Sequence, residues 1–96
     1  MDGNDEQRSA LIHEYYRIYR QLKERHSLRE HSHFDLYGNN LIEIWEYAGG
    51  RKKRCVCKVR EEDETACYKR AIEMLKSYGR KGDLIENERE EGQRAG

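Results

Sequence analysis

Two runs of alternating residues, Leu41-Ile42-Glu43-Ile44-Trp45-Glu46-Tyr47 and Arg54-Cys55-Val56-Cys57-Lys58-Val59-Arg60, flank the dipeptide Gly49-Gly50. Alternation is the period of a half-buried strand, and a Gly-Gly pair between two such runs marks a hairpin. A two-residue turn there pairs Ile44 with Cys55 and Ile42 with Cys57, which gathers the small apolar residues on one face. Trp45 with Arg54 and Tyr47 with Lys52 fall on the other. A slip of one residue would mix the two sets, so the pattern selects the register.

Upstream, Gly38-Asn39-Asn40 suits a second turn, and it pairs Phe34 with Ile44 and Leu36 with Ile42 on the same apolar face. Strands are therefore expected at 33–37, 41–47 and 53–60. On either side the period changes to that of a helix. Over 5–25, Leu11, Tyr15, Ile18 and Leu22 form a stripe that Ile12 and Tyr19 widen, with Asn4 and Gln7 as a weak capping box. Residues 27–32 have no period and read as a connector. Over 63–78 the stripe is Cys67, Ala71, Met74, Leu75 and Tyr78, with Gly79 where a helix-stopping glycine belongs. The expected fold is α+β, in the order α-β-β-β-α: a three-stranded antiparallel meander, order 1-2-3, with both helices on one face. Residues 1–82 form the domain, and 83–96 read as an acidic, disordered tail.

Ninety-six residues allow one domain, and a hydrophobic content of 35% leaves order to patterning rather than to bulk apolarity. No apolar run approaches the ~18–20 residues of a membrane span, and the first residues have no secretory character. A cytoplasmic protein is expected, and its odd three cysteines, Cys55, Cys57 and Cys67, read as reduced and inward-facing. The nineteen basic and nineteen acidic residues cancel in sum but not in place. Arg51, Lys52, Lys53, Arg54, Lys58 and Arg60 make a basic hairpin strand, and Glu61, Glu62, Asp63 and Glu64 follow at once as an acidic patch. The chain is bipolar rather than neutral.

With both helices on one side, the opposite sheet face is left open. It would carry His33, Tyr37, Leu41, Trp45, Tyr47, Lys52, Arg54, Val56, Lys58 and Arg60. An exposed tryptophan among tyrosines and cations marks a contact surface, for a protein partner or for stacking on bases. The plain alternatives are a cation–π pair of Trp45 with Arg54 on a wet sheet face, or cover from a helix or the tail. The basic turn Arg51–Arg54 could lie along phosphates, or it could simply protect an edge strand.

In element order, residues 5–78 resemble the double-stranded-RNA-binding domain, whose last helix begins with phosphate-clamping basic residues. Here that segment is Glu61-Glu62-Asp63-Glu64, so the RNA function does not carry over. The sheet and following helix are also similar to the arm-binding modules of phage integrases, which read DNA with the sheet face. Small phage-encoded inhibitors of CRISPR nucleases share the same plan, with acidic surfaces that imitate nucleic acid. No motif ties the chain to any of the three.

His26, His31, His33 and Cys55-x-Cys57 miss the usual zinc spacings, so no metal and no cofactor is expected. His13-Glu14 opens like a zinc-protease helix, but Arg17 stands where the second histidine belongs, and no phosphate loop or nucleophile elbow is present. The expected function is non-enzymatic: an interaction protein that binds a protein partner, as an inhibitor or accessory factor of a nucleic-acid-handling machine, with a phage anti-defence role as one form. The partner-binding face is Tyr37, Trp45, Tyr47, Arg54 and Lys58. The alternative is a nucleic-acid-binding module using the basic hairpin and the aromatic face, and a homodimer through that face is compatible with either.

Overall fold

A computed structural model describes residues 5–80 in full. The elements are α1 (Asp2–His26), β1 (Leu28–Glu30), β2 (Asn40–Ala48), β3 (Arg51–Glu61) and α2 (Glu64–Ala95). The sheet is antiparallel in the order β1-β2-β3, so the α+β fold and the meander are as the sequence reads. The cap expected at Asn4 and the acidic tail expected over 83–96 lie outside the described residues.

The helices pack on one face of the sheet because their apolar stripes have a matching stripe to meet. Tyr15, Ile18, Tyr19 and Leu22 of α1 join Cys67, Tyr68, Ala71, Ile72 and Leu75 of α2 over Leu28, Ile42, Ile44, Cys57 and Val59. Asp63 caps α2: its carboxylate accepts from the Thr65 amide at 3.3 Å and from the Thr65 hydroxyl at 2.7 Å. Gly79 does not stop this helix but lies within it. A Cβ there would sit 3.3 Å from Leu22 Cδ2, so its role is a close approach between helices.

The first strand is where the sequence expectation fails. Residues 33–37 are not a strand, and neither Phe34 nor Leu36 pairs with β2 as expected. The strand is Leu28–Glu30, inside the segment read as a connector, with Leu28 opposite Glu46, Arg29 opposite Trp45 and Glu30 opposite Ile44. Ser27 makes this possible. Its left-handed backbone, φ 52°, reverses the chain directly after α1, and its carbonyl accepts from the Tyr47 amide at 2.9 Å. One further bridge joins His33 to Leu41, after which Asp35 turns the chain. The Asp35 Oδ1 accepts from the amides of Tyr37 at 2.9 Å and Asn39 at 3.0 Å, and this carboxylate-centred loop replaces the strand.

The hairpin forms at Gly49-Gly50, both with positive φ, and Ala48–Arg51 and Tyr47–Lys52 pair as a two-residue turn requires. Two irregularities on β3 then shift the ladder. Lys53 and Val56 are each left without a partner, so Ile44 meets Cys57 and Ile42 meets Val59, two places beyond the expected pairs. Two single-residue bulges restore the original parity, which is why the same apolar face is buried. Between them the parity is reversed.

Candidate interaction face

The reversal decides the membership of the open face. Glu46 pairs with Arg54 and Trp45 with Cys55. Arg54 therefore lies on the helix side, where its guanidinium donates to Glu46 at 2.9 Å, 6.0 Å from the Tyr78 ring centroid. The expected Trp45–Arg54 pairing is corrected: the cation over Trp45 is Lys52, with its Nζ 4.8 Å from the ring centroid. Cys55 and Val56 also exchange expectations. Cys55 stands at the Trp45 register position and is half-buried, while Val56 packs against the core. Cys57 and Cys67 are buried as read, and burial pushes the Cys57 thiol up to about 12.

The centre of the open face is a row of rings and cations. Trp45 Nε1 donates to Glu43 at 2.5 Å, and Lys52 reaches the same carboxylate at 3.9 Å. One strand over, Arg29 lies 4.6 Å from the Tyr47 ring centroid, and the Tyr47 hydroxyl is 2.7 Å from His31 Nε2, the two rings stacked at 5.9 Å. Arg29 and His31 were not legible as part of the face, because their segment reads as a connector. Lys58 opposite Glu43 and Arg60 opposite Leu41 extend the face and are exposed, as are Arg51 and Lys53 at the hairpin tip. Tyr37 does not join it. It sits in the 34–39 loop, 89% exposed.

The acidic patch is largely engaged within the molecule. Glu61 pairs with Arg70, Glu64 with Arg8 at 2.9 Å, and Asp63 caps α2. The Glu62 carbonyl accepts from the side chain of Asn40, which is 4% exposed, at 2.8 Å, and its own carboxylate stands at the exposed corner. The Thr65 hydroxyl and nearby amides hold the Asp63 carboxyl below the usual carboxylate range.

On the buried side, Glu30 accepts from the hydroxyls of Tyr15 and, at 3.3 Å, Tyr16. Burial and that carboxylate push the Tyr15 hydroxyl far above its ordinary range, so the cluster holds β1 against α1 rather than offering a reactive phenol. Among the described residues, no group of three or more His, Cys, Asp and Glu is placed to hold a metal ion, and no helix is long and apolar enough to cross a membrane. Comparison with protein-family models, with curated proteins and with solved structures found no match.

Proposed function

We propose that this is a small non-enzymatic interaction protein whose open sheet face binds a protein partner, as an inhibitor or accessory factor of a nucleic-acid-handling machine. The observation that carries the reading is the paired arrangement Trp45–Lys52 and Tyr47–Arg29, on the sheet face opposite both helices. Aromatic rings with cations laid over them give a partner apolar area and charge in one footprint, the composition of interface anchor points. The cations favour a partner surface with acidic groups. Bases would have to displace Lys52 and Arg29 before they could stack, which ranks a protein partner first.

A nucleic-acid-binding module is the second reading. It is favoured by the exposed Arg51, Lys52 and Lys53 at the hairpin tip and by Lys58 and Arg60 on the same face. Phosphate contact through these side chains needs no stacking and weakens steeply with salt.

Capture from a cell extract with wild type and with a folded Trp45→Ala/Tyr47→Ala variant tests the first reading. A protein retained by the wild type and lost by the variant is expected, and equal recovery of every captured protein contradicts it. Gel shifts with DNA and RNA at about 50 mM salt test the second, because electrostatic binding is strong there. Unshifted nucleic acid removes it.

A further inference from the structure

β3 lies at the edge of the sheet, and one half of that edge is regular. Leu41 exchanges backbone hydrogen bonds with His33, and the Glu43 carbonyl accepts from the His31 amide at 2.7 Å. Backbone groups alternate sides along a strand, so Asn40, Ile42 and Ile44 bond instead to β3, where they face Glu61, Val59 and Cys57. The N–H and C=O groups of Lys58 and Arg60 therefore point away from β2. No further strand lies beside them among the described residues. Toward the hairpin, the bulges at Lys53 and Val56 interrupt the edge and protect that half from pairing. Residues 57–61 have no such interruption.

The side chains along this stretch suit one kind of occupant. On the open face, Lys58 and Arg60 are exposed, and neither has an ion-pair partner among the described residues. Of the carboxylates near them, Glu43 is held by Trp45 and Lys52, Glu61 by Arg70 and Asp63 by Thr65, which leaves Glu62 beside Arg60. On the helix side, α2 runs back along β3. The Arg70–Glu61 ion pair ties one end, and the Tyr78 ring centroid lies 6.0 Å from Arg54 at the other. Met74, one turn from each, is 37% exposed, the one exposed large apolar side chain of α2 among the described residues. A strand laid on this edge puts alternate side chains over the cations and over Met74.

We propose that residues 57–61 accept an extended acidic peptide as a fourth strand, its carboxylates opposite Lys58 and Arg60 and its alternate, apolar side chains toward Met74. The outward backbone groups of Lys58 and Arg60 supply the hydrogen bonds, and the alternation of the side chains supplies the selection. A second copy of β3 is a poor occupant, because two such edges set Lys58 and Arg60 against the same cations. The edge lies apart from the Trp45–Lys52 and Tyr47–Arg29 row, so either surface can bind while the other does not.

NMR titration of the full, isotope-labelled chain with a peptide of about eight residues alternating glutamate and valine, at about 50 mM salt, tests it. The amide signals of Lys58 and Arg60 are expected to move most, and their hydrogen exchange to slow about tenfold near saturation. Lys58→Pro deletes an outward N–H that β2 does not use, at an edge position where proline is tolerated. Lys58→Ala removes the same charge and keeps the N–H. With matching circular dichroism, the proline variant is expected to bind the peptide about tenfold more weakly than the alanine variant. Arg60→Pro against Arg60→Ala repeats the comparison should Lys58→Pro not fold. Amides that stay unmoved at about 1 mM peptide overturn the proposal. So does equal binding by the proline and alanine variants, or by a peptide with its glutamates and valines in two separate blocks, since charge alone would then explain the contact. A single-stranded oligonucleotide that moves these amides where the peptide does not assigns the edge to phosphate. Shifts that follow protein concentration alone assign it to a second copy, and either result overturns the proposal.

Discussion

The Arg54 guanidinium donates to Glu46 at 2.9 Å on the helix side of the sheet, although Trp45, next to Glu46, faces the other way. The unpartnered Lys53 and Val56 bracket this short stretch and turn it over. Arg54 is therefore a structural contact and Lys52 a face residue. The Arg54 side chain is largely exposed, so Arg54→Ala should cost no more than about 1 kcal/mol in denaturant unfolding. It should leave partner capture unchanged, whereas Lys52→Ala should weaken capture at unchanged stability. The reverse pattern would place the contact surface on the wrong side of the sheet.

Glu46 also gives the fold an acid-sensitive point. Burial raises its pKa, but the hydrogen bonds from Tyr78 at 2.5 Å and from Arg54 outweigh burial and hold the carboxyl below its ordinary value. A depressed folded-state pKa contributes stability that is present above the unfolded value, about 4.3, and lost as pH falls through the folded one. Asp35 and Asp63, held low by the amides of Asn39 and Tyr37 and by the Thr65 hydroxyl, act in the same window. Urea unfolding between pH 7 and pH 3 should show stability falling below about pH 4.3, and falling less steeply in Glu46→Gln.

At high pH the sign is opposite. Burial raises the Tyr68 hydroxyl to about 12, and burial with the Glu46 carboxylate raises that of Tyr78 further. Their raised values favour the neutral phenols in the folded state, so this contribution is complete below about pH 10 and lost as pH rises toward 12. Tyrosinate absorbance followed together with circular dichroism should show these two phenols ionising with unfolding. Ionisation well before any structural change would contradict their burial.

Ser27 takes a backbone conformation that costs an L-residue about 1–2 kcal/mol. Ser27→Gly relieves that strain at some cost in chain entropy. A gain of about 0.5–1 kcal/mol in thermal or urea unfolding is expected. A loss would mean that the Ser27 side chain contributes something its backbone does not.

Gly79 faces the terminal methyls of Leu22 closely enough that a larger side chain must displace the Leu22 side chain from its place between the helices. Gly79→Val is expected to destabilise by about 1–3 kcal/mol, measured by thermal unfolding.

Both helices and the hairpin were legible because each has its own period and the turn has two glycines. The first strand was not, because the chain reverses at Ser27, a residue that carries no turn signal, while Phe34 and Leu36 imitate alternation across a loop organised by Asp35. Trp45 and Tyr47 were legible on one face because both bulges lie on β3 and leave the alternation of β2 intact. Lys52 was legible because it comes before the first bulge. Arg54 and Cys55 were misplaced because no Gly or Pro marks the bulges at Lys53 and Val56. Arg29 and His31 followed from the missed strand. Tyr37 left the face for the same reason.

The central claim is that the Trp45–Lys52 and Tyr47–Arg29 row is the contact surface. The most direct measurement is quantitative recovery from one cell extract by wild type and by a Trp45→Ala/Lys52→Ala variant with matching circular dichroism. Loss of a specific protein partner by about tenfold or more is predicted, as for removal of interface anchors. Recovery of every bound protein in equal amounts by both would contradict the assignment.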